Sequence, residues 1–301
     1  MRIGFGVPVS GSWATPANML RVARRAEDLG YDSLWTFQRL LYPVGHTMGP
    51  TYRSVLDPVV TLAYLAGVTE RVRLGVAVLN MPFFSPALLA KQLATLQEVS
   101  GGRLDAGLGL GWLPEEFVAS GAPLAGRGRR AVEFLQVLRR FWNDDIVSHK
   151  GEFYEVAPSH MDPRPVPPPP VLLGGTAEVA LRRAGELADG WISSSRTDLS
   201  AISDQIYIVK DAARAAGRDP EALRFICRGV TKLREAGQPG RAPLTGSPQE
   251  IRADVEALAA AGVTEVFHDL NFDPEIGSPD ADPVTSMRRA EEALSALAPG
   301  A

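Results

Sequence analysis

The stretch LATLQEVSGGRLDAGLGL, residues 93–110, contains the pattern from which the rest of the chain is built. An apolar-periodic helix end is broken at Ser100-Gly101-Gly102, and a short apolar run follows: a helix C-terminus feeding a strand. The same phrase returns as RRAEDLGYDSLWTF (24–37), LAYLAGVTERVRLGVAVL (62–79), LRRAGELADGWISS (181–194) and LAAAGVTEVFHDL (258–270). An opening strand from Arg2 to Val9, a run from Val171 to Gly174 and RFICRGVTKL (224–233) bring the strand candidates to eight. Helical segments follow them at 16–29, 56–68, 86–99, 127–142, 176–188, 198–216, 248–261 and 283–298. The strands are near-continuous apolar runs, as expected of a parallel sheet covered on both faces. Eight strand-helix units in 301 residues predict an α/β fold, a (β/α)8 TIM barrel forming a single domain over 1–301. An open doubly wound sheet is the competing architecture.

Composition sets the limits of function. The chain is 45% hydrophobic and 22% charged, with a formal net charge of -4, so there is no electrostatic basis for a nucleic acid or acidic membrane partner. Cys227 is alone, which excludes a disulfide framework and a cysteine metal site. The opening MRIGFGVPVSGSW has no apolar core of signal-peptide length, and nowhere do about 18 apolar residues run together. These features lead us to expect a cytoplasmic protein.

Two stretches interrupt the alternation. IVSHKGEFYEV (146–156) is expected to form a hairpin turning near Lys150-Gly151, and DPRPVPPPP (162–170) an extended connector into the fifth strand. Residues 38–55, after the second strand, are too many for a plain loop and contain Tyr42, Pro43, His46, Met48 and Tyr52, as a lid or binding loop would.

In a barrel, the residues immediately after each strand face the working end. They include Gln38 and Arg39 after strand two, Asn80 after strand three, Gly111 and Trp112 after strand four, Ser193 to Arg196 after strand six, and His268 and Asp269 at strand eight. In LLGGTAEVALRRAG (172–185), two glycines precede a helix whose free N–H groups suit a phosphate, although they also permit a tight turn. GLGLGW (107–112) is spaced as a strand rather than as a dinucleotide fingerprint: its glycines either leave room for a flat ligand or allow close strand packing. The four histidines are scattered without metal-ligand spacing, no GxSxG elbow occurs, and Lys232 offers only a weak Schiff-base candidate. Glu115 and Glu116 read as first-turn helix acids. A rim poor in acid-base groups suits a cofactor that carries the chemistry itself.

RAEDLGYDSLW (25–35), the long block LGVAVLNMPFFSPALLAKQLATLQEVSGGRLDAGLGLGW (74–112), GEFYEV (151–156), PVPPPPVLLGG (165–175), RRAGELADGWI (182–192) and LAAAGVTEV (258–266) together resemble the bacterial luciferase-like superfamily of (β/α)8 flavin and deazaflavin enzymes, and within it the coenzyme F420-dependent oxidoreductases. The resemblance implies a non-proline cis peptide at Ala77-Val78, a bulge supporting one face of the tricyclic ring, with Asn80 beside it. It also implies a phosphate turn at Gly174, Gly175 and Thr176, and a strand-four wall at Gly109, Gly111 and Trp112. Many F420 enzymes of this family carry an acid-histidine pair after strand two and a glutamate after strand four. Here those places hold Gln38, Arg39 and Trp112, so that acid-base mechanism is not carried over. Arg39 is a constitutive cation, suited to an anionic group, the deazaflavin's own charge or a developing oxyanion, or to tying down the 38–55 loop through backbone carbonyls.

The resulting expectation is hydride transfer between F420 and a small organic substrate in a largely apolar pocket of Phe37, Tyr42, Met48, Phe83, Phe84 and Trp112. Gln38 and Arg39 would orient the substrate, Tyr42 or His268 would supply a proton, and a homodimer is expected. An FMN-dependent monooxygenase and a non-catalytic cofactor-binding protein are the alternatives.

Overall fold

A computed structural model describes residues 1–300. Eight parallel strands form its center: β1 (Arg2–Gly6), β2 (Ser33–Thr36), β3 (Arg73–Val76, resuming at Leu79–Asn80), β4 (Leu104–Gly109), β5 (Val171–Gly174), β6 (Gly190–Ile192), β7 (Arg224–Val230) and β8 (Glu265–Asp269). Each pairs with the next, and β8 pairs with β1, so the sheet closes into a barrel. The helices are α1 (Pro16–Asp28), α2 (Pro58–Ala66), α3 (Pro86–Val99), α4 (Pro114–Ala119), α5 (Arg127–Asn143), α6 (Glu178–Leu187), α7 (Ile202–Ala215), α8 (Pro248–Ala260) and α9 (Pro283–Ala296). Among the described residues no helix is long and apolar enough to cross a membrane.

Local chemistry explains where most helices begin. Thr15, Asp57, Ser85, Ser247 and Asp282 each accept a backbone N–H in the first turn of α1, α2, α3, α8 and α9, and in every case a proline follows. The side chain satisfies an orphan donor, and the proline occupies a position whose N–H had no partner. Helices α4, α5, α6 and α7 differ: they open at Leu113, Gly126, Ala177 and Ala201 without a side-chain cap.

Strand parity builds the barrel interior in layers. On β7 the inward residues are Arg224, Ile226 and Arg228; on β8 they are Glu265, Phe267 and Asp269. The floor is ionic: Asp105 accepts from both Arg73 and Arg224, and Glu265 accepts from Arg224, Ser33 and the Trp35 indole. Burial alone would raise the Asp105 carboxyl, but the hydrogen bonds from Arg73 and Arg224 outweigh it and hold it below the ordinary value. Above the floor lies an apolar layer of Trp35, Ala77, Leu172, Ile192, Ile226 and Phe267, with the Trp35 and Phe267 rings stacked at 5.0 Å. The larger core fills the space between barrel and helices.

The interruption of β3 is a bulge whose Ala77–Val78 peptide is cis. The expected hairpin forms from Val147–Lys150 and Glu155–Ser159, and the Glu133 carboxylate of α5 accepts the backbone N–H groups of Phe153 and Tyr154 at its turn. Lys232 lies beyond β7 in a two-residue strand paired with Thr245–Gly246, and it does not reach the barrel mouth.

Candidate active site

A cavity of about 720 Å³ opens at the C-terminal ends of the strands. That volume suits a drug-sized ligand or cofactor. Ala77, Val78, Asn80, Gly109, Gly111, Trp112, Gly174, Gly175 and Thr176 all line it, as do Gln38 and Arg39.

The glycines of β4 have a specific neighbour. A Cβ on Gly109 would come within 2.5 Å of a Val78 methyl, and one on Gly107 would overlap the Val76 carbonyl oxygen. These positions are small because the β3 bulge packs into β4, so close strand packing accounts for them. Val78 then presents the bulge to the cavity. Gly175, at φ +142, occupies a backbone region essentially closed to other residues and turns the chain from β5 toward α6.

Arg39 is held by three groups. Its Nη1 donates to Glu116 Oε2 at 2.8 Å, and its guanidinium carbon lies 4.8 Å from the ring centroids of both Tyr52 and Trp112. Glu116 Oε1 accepts the Leu40 backbone N–H at 2.7 Å, and both charged side chains are nearly fully buried. Arg39 therefore does tie down the 38–55 loop, through a carboxylate on α4 rather than through backbone carbonyls, and its charge is already matched. Its Nε is buried and has no hydrogen-bond partner. Gln38 Oε1 accepts the Asn80 N–H at 2.8 Å and braces the strand just beyond the bulge.

The structure does not bring the two expected proton donors to the cavity. The Tyr42 hydroxyl lies 2.9 Å from the His46 carbonyl and 2.7 Å from that of Met48, so its proton is engaged within its own loop. His268 falls between inward Phe267 and Asp269 and therefore points outward from the barrel. Its Nδ1 is 3.0 Å from Thr231 Oγ1, and burial pushes its pKa down to about 4, leaving a neutral ring outside the cavity. Of the expected apolar wall, Phe37 and Trp112 line the cavity, together with Tyr52. Phe83 instead packs edge-on against Phe117, and Tyr42, Met48 and Phe84 stay outside.

The sequence reading missed Arg228. It sits on β7, opposite β3 across the closed barrel, and its side chain spans the interior to donate from Nη1 to the Ala77 carbonyl at 3.0 Å. Its Nε donates to Asp269 Oδ2 at 2.7 Å. The guanidinium packs against the adjoining Phe37 and Phe272 rings, 4.6 and 4.4 Å from their centroids. The inward alternation of Arg224, Ile226 and Arg228 was the available signal. Arg127 and Arg183 were also missed; with Arg196 they line the outer cavity near the uncapped starts of α5 and α6, and none of the three forms an ion pair among the described residues. Arg196 stacks on the face of Trp112 at 4.9 Å.

Comparison with known proteins agrees with this architecture. Residues 3–238 match the model of the family described as luciferase-like monooxygenase. An uncharacterized protein of Mycobacterium tuberculosis is 31% identical over 291 residues, covering 90% of this chain and 91% of that one. An F420-dependent glucose-6-phosphate dehydrogenase of Amycolatopsis mediterranei is 31% identical over 224 residues (72% of this chain, 65% of that one). An FMNH(2)-dependent dimethylsulfone monooxygenase of Pseudomonas putida is 30% identical over 258 residues (83% and 67%). Among solved structures, the monooxygenase RslO1 from Streptomyces bottropensis superimposes with a TM-score of 0.80 at 24% identity, over 99% of this chain and 98% of that one. By sequence and by fold, the chain belongs to the luciferase-like monooxygenase family of oxidoreductases, in which relatives using F420 and relatives using reduced FMN both occur.

Proposed function

We propose that the protein is an F420-dependent oxidoreductase that transfers hydride between the cofactor and a small organic substrate. The observation that carries this reading is the charge of the cavity. Arg127, Arg183 and Arg196 line it without carboxylate partners, while Asp198 is the lining acid. Burial holds the Arg183 guanidinium below its ordinary pKa, with the charge of Glu186 only partly offsetting that, so an incoming anion would stabilise the cation there. Beside it are the free N–H groups of Gly175 to Ala177 and of the α5 start, a setting suited to a phosphate. Three unmatched cations exceed what one phosphate requires, and they suit a ligand that carries carboxylates as well. When bound, a deazaflavin supplies the hydride-carrying carbon, and the chain itself positions and shields the reactants.

In this reading Val78 and the bulge support the ring, Gly174 to Thr176 with Arg183 hold the phosphate, and Phe37, Tyr52 and Trp112 exclude water from the substrate. The Tyr52 hydroxyl, 3.5 Å from Ser195 Oγ, takes the proton-donor place expected of Tyr42. The relative acting with F420 supports the assignment, and the FMNH(2)-dependent relative supports the second reading, a monooxygenase. An anaerobic fluorescence titration with F420 and, separately, FMN tests them. Saturation by F420 at micromolar concentration with weak FMN binding is expected; the reverse preference would replace this reading with the FMN one.

A further inference from the structure

We propose that Arg228 is the donor to the carbonyl edge of the bound ring, and that its fixed positive charge stabilises the ring's reduced form over its oxidised form. This inference rests on the reading above only in that some flavin or deazaflavin ring binds; both rings end in the same pyrimidinedione.

Four contacts immobilise the guanidinium: Asp269 on Nε, the Ala77 carbonyl on Nη1, and the adjoining Phe37 and Phe272 rings, which pack against it together. Nη2 makes no hydrogen bond within the protein and is not enclosed, so this donor is free on a residue that lines the cavity. Asp269 does not line the cavity, and its other oxygen accepts the backbone and side-chain N–H groups of Asn271. The pair is therefore polarised, with its cation toward the cavity and its carboxylate held behind.

The bond to the Ala77 carbonyl places this cation at the bulge itself. A flat ring resting on Val78 has its polar edge as the part able to use such a donor, because the remainder of the ring is aromatic carbon. Reduction increases the electron density on the pyrimidinedione, so a donor fixed before the reaction binds the reduced ring more tightly. Charge and hydrogen bonds at that end of the ring are the usual means by which a protein tunes this type of cofactor.

The test compares anaerobic affinities for oxidised and reduced FMN, and for oxidised and reduced F420, in the wild type, Arg228→Met and Arg228→Lys. The Met variant is expected to lose reduced-form affinity selectively, lowering the ratio of reduced to oxidised affinity by roughly tenfold or more, as loss of a charge-assisted hydrogen bond implies. The Lys variant should recover part of that ratio. A Met variant in which both affinities fall equally would show that Arg228 only supports the bulge and would overturn the inference. If the variants do not fold, isotope-edited infrared spectra of carbonyl-labelled FMN and F420 on the wild type decide the question. One ring carbonyl band moving below its position in water supports the inference, and both bands staying at their aqueous positions reject it. Failure of the wild type to bind either ring removes the proposed function itself and this inference with it, a result distinct from an unchanged affinity ratio.

Discussion

The rim and the floor of the cavity each contain an arginine packed against two adjoining aromatic rings with a buried carboxylate as partner. At the rim, Arg39 packs against Tyr52 and Trp112 and pairs with Glu116; at the floor, Arg228 packs against Phe37 and Phe272 and pairs with Asp269. The chemistry is the same and the use differs. Glu116 also accepts the Leu40 N–H, so the rim pair joins a long loop to α4; Arg39 Nε is buried without a partner, and its Nη2, like that of Arg228, makes no hydrogen bond and is not enclosed. The floor pair instead joins β7 and β8 to the bulge, through the Arg228 bond to the Ala77 carbonyl. The two arginines thus differ less in their carboxylate partners than in what each pair holds in place: a loop at the rim, the bulge at the floor.

The largest effect that would sharpen this comparison is at the rim. Glu116→Gln leaves a buried guanidinium without its counter-ion, and removing one partner of such a pair costs about 3–5 kcal/mol. Urea unfolding should show that loss, whereas a change below about 1 kcal/mol, the range of an exposed pair, would break the rim half of the comparison.

Next is the strand that carries the floor carboxylate. His268, beside Asp269, is pushed down to about 4 from an ordinary 6.5 by burial, so the unfolded chain takes up a proton at a pH where the folded chain does not. Stability is complete above pH 6.5 and falls by about 3 kcal/mol as pH drops through that window toward 4. His268→Asn should flatten this acid limb of the stability–pH profile; an unchanged slope would mean that the ring is protonated in the folded state.

A smaller effect is expected where the bulge meets β4. Gly109→Ala sets a methyl against Val78 and should cost about 1–3 kcal/mol, with Val78→Ala in the same chain recovering much of it. Additive losses in the double variant would refute that packing and, with it, the support offered to the carbonyl that Arg228 holds.

The smallest concerns the cation on the outer face of Trp112. Arg196→Ala removes a partly solvated stack and should weaken F420 or FMN binding by roughly twofold to fivefold while leaving the unfolding midpoint unchanged. A loss as large as that of Arg183→Ala would show that Arg196 bears as much of the ligand's charge as Arg183 does.

The barrel was legible because its signals are local. Each helix end, break and apolar strand lies within about twenty consecutive residues, as in 93–110. The glycine turn at 174–176 was legible for the same reason, whereas the bulge at 77–78 was expected only from the family resemblance. The two arginine pairs were not, since they join residues 77 and 41 positions apart, and the Arg228 bond to Ala77 spans 151. Glu116 was read correctly as a first-turn acid, but nothing in PEEFVA reveals that its carboxylate faces Arg39. Tyr42 and Tyr52 share one loop, and only its folded path decides which hydroxyl reaches the cavity. His268 illustrates parity: a shift of one residue along a strand moves a side chain from the inner wall to the outer one.

The unmatched arginines at the mouth also have a kinetic consequence. The chain carries a net charge of -4, so an approaching anion meets a repelling molecule with an attracting entrance. At about 0.01 M salt the screening length, near 30 Å, lets the ligand sense the whole surface; at about 0.15 M, near 8 Å, it senses only the mouth. The rate of anion capture should therefore rise and then fall as salt is added, with a maximum where the repelling surface is already screened and the entrance is not.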